Sequence, residues 1–226
     1  MVSVTVLSET TKFPLEVIGE RCGICWNASI NDSDKNIKRA KNCIISGHYR
    51  VLEFVNIELL IKGCSARVIR EWYTHIGSLP TRLQESTRYV NCENFKFVIP
   101  TNVKNNPFLL KEYQSLMSNI SNKYKLFIEK GIDKEDAALI LPLGMETKIV
   151  DKRNLRNLIE MFHQRSCSRA YWEYRDIMKE IKSKLSEISD EWKWIADNYF
   201  IPKCEVAGYC TENKCCGRKP KKEDKL

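Results

Sequence analysis

Residues 70–89, REWYTHIGSLPTRLQESTRY, place ionisable, hydroxyl and amide side chains in one run bounded by apolar segments on both sides. Chemistry or ligand binding is expected in this run. Upstream, residues 51–62 (VLEFVNIELLIK) alternate apolar and polar positions as a half-buried strand does. Ser65 is then placed to cap a helix reaching about Ile76, which Gly77 and Pro80 end. Residues 81–89 carry Arg82, Gln84, Glu85, Ser86, Thr87 and Arg88 with no apolar period. They read as a loop whose side chains and backbone N–H groups converge on an anion, and Arg82 and Arg88 suit a phosphate.

At 226 residues with 43% hydrophobic content, one α/β (α+β) domain over 1–202 has enough core to stand without disulfides, followed by a Cys-rich, basic tail over 203–226. Thirty-seven Lys and Arg against 29 Asp and Glu give +8, which suits anionic ligands without choosing among nucleotides, folates and nucleic acid. The N-terminus lacks the basic start and unbroken apolar run of a signal peptide, and no stretch approaches the roughly 20 apolar residues of a membrane span. The expectation is a cytoplasmic protein with no membrane partner.

Four of the ten cysteines, Cys204, Cys210, Cys215 and Cys216, crowd the tail. Their density is that of a small zinc site, but the spacings match no standard finger or ribbon, so they read as free thiols and no metal is assigned. Cys22 and Cys25 have the spacing of a redox pair without the context of one, and read as reduced structural thiols.

In chain order, residues 3–7 alternate as a short strand, 15–27 form a helix, and 31–46 form a second helix with Ile37, Ala40 and Ile44 on its apolar face. Gly47 and His48 close that helix. Residues 94–100 (NFKFVIP) read as a strand, and Asn106–Pro107 opens a long helix with Leu109, Leu110, Tyr113, Leu116, Met117, Ile120, Tyr124 and Phe127 in its buried stripe until Gly131. Asp133 caps a short helix. Residues 154–165 put Leu155, Leu158, Ile159 and Phe162 on one face and Arg156, Glu160 and His163 on another. Arg165 lies at the edge of the apolar stripe, where its permanent charge must find an acceptor. Trp172, at the start of the last long helix, reads as core packing; beyond Trp194 the chain reads as irregular, with a disordered charged end over 218–225.

Three separated motifs, spanning about Gly47 to Glu173, carry a resemblance to the flavin-dependent thymidylate synthases. His75 followed by Gln84-Glu85-Ser86-Thr87-Arg88-Tyr89 resembles that family's signature, with Thr74 and Ile76 where the family commonly has arginines. Asn154, Arg156, Glu160 and Arg165 resemble a second motif, with Glu160 where Asn is usual, and Tyr171-Trp172-Glu173 resembles a third. The resemblance implies a central antiparallel sheet flanked by helices, a homotetramer with active sites shared between subunits, and methylation of dUMP to dTMP. Methylenetetrahydrofolate would be the carbon donor, and FAD, reduced by NADPH, would be the hydride source. It further implies that Glu71, Trp72, Tyr73, Thr74, Gln84, Glu85, Ser86, Thr87 and Arg88 hold dUMP and that Arg165 polarises the pyrimidine. His48, Arg50, Thr74, His75, Ile76, Asn154, Arg156 and Glu160 would meet FAD. Ser86 offers a hydrogen bond and not a nucleophile, since no base stands ready to activate it. Two other readings stand beside it: a nucleic-acid-binding protein that uses the +8 charge, five tryptophans and the Cys-rich basic tail as a metal-dependent grip, and a catalytically inactive flavoprotein of this family, drawn from the missing arginines.

Overall fold

Residues 2–77 and 79–225 are described in the computed structural model. The sheet is built from β1 (Ser3–Val6), β2 (Asn56–Ser65), β3 (Thr81–Gln84) and β4 (Glu146–Asn154), in the order β1-β2-β4-β3. β2 and β4 run antiparallel: the Leu155 N–H donates to the Val55 carbonyl (3.1 Å) beyond one end, and the Ala66 N–H to that of Met145 (2.9 Å) beyond the other. In β2, Ile57, Leu59 and Ile61 are fully buried at alternate positions, as the apolar alternation dictates. The strand begins later than expected, because residues Tyr49–Phe54 form a 3-10 helix. Buried Leu52 and Val55, three residues apart, satisfy a 3-10 turn as well as a strand would satisfy a period of two.

The chain forms two compact units whose boundaries fall inside β2 and β4: residues 1–3, 61–74 and 83–150 in the first, and 4–60, 75–82 and 151–226 in the second. In the first, α3 (Ala66–Trp72) starts where the Ser65 Oγ accepts from the Val68 N–H (3.2 Å), and it stops at Trp72, short of Ile76. A short α4 (Thr101–Lys104) precedes α5 (Pro107–Glu129), which opens under the Asn106 side chain, an acceptor for the N–H groups of Phe108 (3.1 Å) and Leu109 (3.2 Å). Gly131 (φ +81°) follows it in the left-handed conformation that glycine adopts without strain. Only Met117 and Tyr124 of its expected stripe are buried, and Leu109 and Leu116 stay about half exposed. α6 (Lys134–Ala137) begins at Asp133 with no side-chain cap. Residues 81–84 are an edge strand and not the expected loop: the Glu85 N–H donates to the Lys148 carbonyl (2.9 Å), and the mostly exposed side chains hide the alternation. Residues 94–100, expected as a strand, make only an isolated antiparallel bridge, Phe97 to Met145.

In the second unit, α1 (Pro14–Cys25) and α2 (Ser33–Ile45) pack so closely that a Cβ on Gly19 would fall 1.9 Å from the Asn36 carbonyl oxygen, which requires glycine there. α7 (Leu155–Arg165) starts under Asn154, whose Oδ1 accepts from the Asn157 N–H (3.0 Å). It is followed by α8 (Trp172–Ser186), α9 (Asp190–Tyr199) and α10 (Lys203–Ala207). α9 replaces the irregular chain expected beyond Trp194: Ser189 caps it, and the buried Glu191 carboxylate accepts the N–H groups of Leu15 (2.6 Å) and Glu16 (3.1 Å) at the start of α1. Trp172 is only half-buried, and Tyr174, two residues on, is the aromatic that enters the core. The expected disordered end is ordered at least by backbone pairing, since the Cys210 N–H donates to the Pro220 carbonyl (2.7 Å). Among the described residues no helix is long and apolar enough to cross a membrane, and all ten cysteines are free thiols.

Candidate active site

β4 is the element least visible in the sequence, and it explains the site in the second unit. Its inward face carries Asp151 and Arg153, both fully buried side chains, as an ion pair with Nε–Oδ2 of 2.5 Å and Nη2–Oδ1 of 2.6 Å. Arg153 also bonds the Asn157 side chain, whose Nδ2 donates to the Gly77 carbonyl (2.6 Å). A chain of polar contacts thus runs from the strand through α7 to the turn just after His75.

His75 and Arg165, ninety residues apart in sequence, meet there. The Arg165 Nε–H donates to His75 Nε2 (2.9 Å), and the guanidinium lies over the Tyr174 ring, 4.8 Å from its centroid. The bond places the lone pair on Nε2 and the imidazole hydrogen on Nδ1. Burial, then the charges of Arg165, Arg153 and Arg82, hold the His75 pKa down at about 4. The imidazole is therefore neutral near pH 7, an acceptor that orients the guanidinium without neutralising it. Because the folded pKa is depressed below the ordinary value of about 6.5, this contact stabilises the fold fully above pH ~6.5; the contribution declines as the pH falls and is gone below ~4. A titration of the His75 ring by NMR is expected to show it still neutral at pH 5.5, and a midpoint near 6.5 would contradict the arrangement.

A second group in the same unit surrounds a cavity of about 870 Å³. His48, Arg50 and Arg156 line it, joined by Glu53 and the exposed aromatic residues Trp26, Tyr49 and Phe54. Gly47 (φ +80°) ends α2, and the His48 N–H then satisfies the Cys43 carbonyl (3.0 Å), so the backbone of His48 closes the helix while its side chain faces the cavity. Arg156 pairs with Glu53 (2.7 Å) and more loosely with Glu160 (3.6 Å), both in partly exposed positions where such pairs exchange readily with a ligand. Two guanidiniums and three aromatic surfaces on one cavity fit a flat heteroaromatic ring carried on a diphosphate. Asn154 serves as the α7 cap and Ile76 is exposed; neither lines this cavity. Sequence reasoning misses Glu53, because a strand over 51–62 would turn it to solvent, and Tyr174, because Trp172 is the larger aromatic of the same motif.

The first unit gathers the remaining candidates. Gln84 Nε2 donates to Thr147 Oγ1 (3.4 Å), Lys148 pairs with Glu85 (2.9 Å), and the Ser86 Oγ accepts from the Arg88 N–H (3.3 Å). Glu85 and Thr87 line a cavity of about 350 Å³ with Lys62, Lys96 and Lys148. Arg88 is largely exposed and held by Glu135 (2.6 Å). Glu71 pairs with Arg67 (2.7 Å), Thr74 Oγ1 donates to the Glu71 carbonyl (2.7 Å), and Tyr73 is partly exposed. Trp72 is fully buried, so its side chain packs in the core.

The chain combines a mixed α/β fold on a four-stranded sheet with Arg156 and Arg165 on helix α7. Residues 6–189 match the family model of the thymidylate synthase complementing protein, Thy1. The flavin-dependent thymidylate synthase of Pyrococcus furiosus is 33% identical over 229 residues, covering 94% of this chain and 90% of that protein. That of Thermococcus kodakarensis is 35% identical over 190 residues, covering 80% and 76%. Among solved structures, thymidylate synthase X (ThyX) from Helicobacter pylori with FAD and dUMP shares the fold with a TM-score of 0.68 at 18% identity, covering 88% of this chain and 99% of that one. The chain belongs to the flavin-dependent thymidylate synthase family.

Proposed function

We propose that the protein catalyses the reductive methylation of dUMP to dTMP, with methylenetetrahydrofolate as carbon donor, NADPH as reductant and FAD as cofactor, in a homotetramer. The observation that carries this reading is the Arg165 guanidinium, aimed by a neutral imidazole and an aromatic face. Such a group withdraws electron density from a pyrimidine carbonyl and favours ionisation of the adjacent N3–H. When bound, the flavin supplies the hydride that the reaction requires. His48, Arg50 and Arg156 would hold it, with Trp26, Tyr49 and Phe54 on the same cavity. Gln84, Glu85, Ser86, Thr87 and Arg88 bind the nucleotide, with Arg88 and the backbone N–H groups of Ser86 and Thr87 at its phosphate. Thr74 and Ile76 leave His75 without the flanking arginines common in the family, and Arg82, whose charge already acts on His75, supplies positive charge to the same region.

The test is spectroscopic. Titrating the protein with FAD is expected to quench flavin fluorescence to saturation, and the bound flavin is expected to oxidise NADPH faster when dUMP is added. Saturation without any effect of dUMP would favour an inactive flavoprotein, and no quenching at all would remove the reading.

A further inference from the structure

A cavity of about 630 Å³ in the second unit is walled on one side by α7 and the turn after it and on the other by the Cys-rich C-terminal segment. Its lining includes Arg165 and Arg169 from the first wall and Lys203, Lys214 and Arg218 from the second, against two carboxylates, Glu160 and Glu212. Five cations converging from three stretches of chain repel one another and create a strong positive potential in a partly enclosed space. His163 on the same lining has its Nε2 buried without a hydrogen-bond partner among the described residues, a donor or acceptor whose burial is otherwise uncompensated. Within the segment, Lys219 pairs with Glu205 (2.8 Å) and the Cys215 thiol donates to the Lys219 carbonyl (3.2 Å).

We infer that the C-terminal segment and α7 together form a binding site for a multiply charged oxyanion, in which Lys203, Lys214 and Arg218 take the charges distant from Arg165. The spread of the cations over three stretches suits a chain of charges better than one phosphate. Given the proposed reaction, on which this assignment of source rests, two chemistries qualify: the carboxylates of a γ-linked glutamate chain on a folate, and the phosphates of a nicotinamide dinucleotide.

Calorimetric titration of the full chain with tripolyphosphate and, separately, with γ-linked triglutamate tests the site and distinguishes the sources. Lys203, Lys214 and Arg218 are exposed, so their substitution leaves the core intact. Lys214→Glu/Arg218→Glu is expected to weaken the better-bound probe at least about tenfold, while the same change of charge at exposed Lys111 and Lys123 on α5 weakens it less than about threefold. Tighter binding of triglutamate assigns the folate tail, and tighter binding of tripolyphosphate assigns the dinucleotide. Absence of binding by the unaltered protein, or equal losses in the two double variants, would overturn the site. FAD affinity measured on the same samples keeps the outcomes apart: its loss in the unaltered protein counts against the proposed reaction and not against the anion site.

Discussion

Arg165→Ala is expected to lower turnover by roughly 30- to 5,000-fold while leaving a folded protein. The guanidinium is half-buried and contributes to the fold through the His75 bond and the Tyr174 face, interactions of about 0.5–1 kcal/mol each at a partly exposed position. A charge-assisted contact to the pyrimidine, made in a site where neighbours fix its direction, is lost at a cost on the order of 2–5 kcal/mol, or roughly 30- to 5,000-fold in rate. Arg165→Lys separates charge from shape: the ammonium keeps the charge but loses the planar fork that donates to His75 and stacks on Tyr174, so it should restore only part of the rate. Circular dichroism and steady-state turnover on the same preparations check both statements, and normal turnover by the alanine variant would make Arg165 structural.

Asp151→Ala has the largest expected effect on stability. Asp151 and Arg153 face inward from β4, and both side chains are fully buried. Removing the carboxylate leaves a guanidinium that cannot discard its proton at a fully buried position, at a cost of about 3–5 kcal/mol. Loss of that order is a large share of the margin of an ordinary domain and should lower the midpoint of thermal unfolding well beyond the effect of any surface variant. Asp151→Leu/Arg153→Met, which removes both charges and refills the volume, should recover most of the loss, because desolvation cancels much of what a buried pair gains. The double variant should nevertheless lose activity, since Arg153 also lowers the His75 pKa and positions Asn157 against the Gly77 carbonyl. Equal stability of the single and double variants would show that the pair is not coupled.

β2, α2, α5 and α7 are readable from the residues because each has a clear apolar period; in the structure Asp32 before α2, Asn106 before α5 and Asn154 before α7 all accept backbone N–H groups. β4 is not, because its inward positions are Thr147, Ile149, Asp151 and Arg153, and two buried charges erase the alternation that identifies a strand. The failure of the hydrophobic pattern there coincides with the polar network behind His75, where tertiary contacts override local preference. The site is legible in part. Arg165 stands out by a charge at the edge of an apolar stripe, but its acceptor, a histidine ninety residues earlier, is visible only once α7 and the turn after α3 are placed. Glu53 and the aromatic wall of the cavity of about 870 Å³ depend on the 3-10 helix at residues Tyr49–Phe54, where the polar and apolar alternation of the sequence reads as a strand but the buried residues, Leu52 and Val55, lie three apart.

Product formation tests the central claim most directly. Protein loaded with FAD and supplied with dUMP, methylenetetrahydrofolate and NADPH is expected to yield a nucleotide heavier by one methylene, identified as dTMP by mass spectrometry, with none formed when FAD or the folate is omitted. Oxidation of NADPH with dUMP recovered unchanged would contradict that claim.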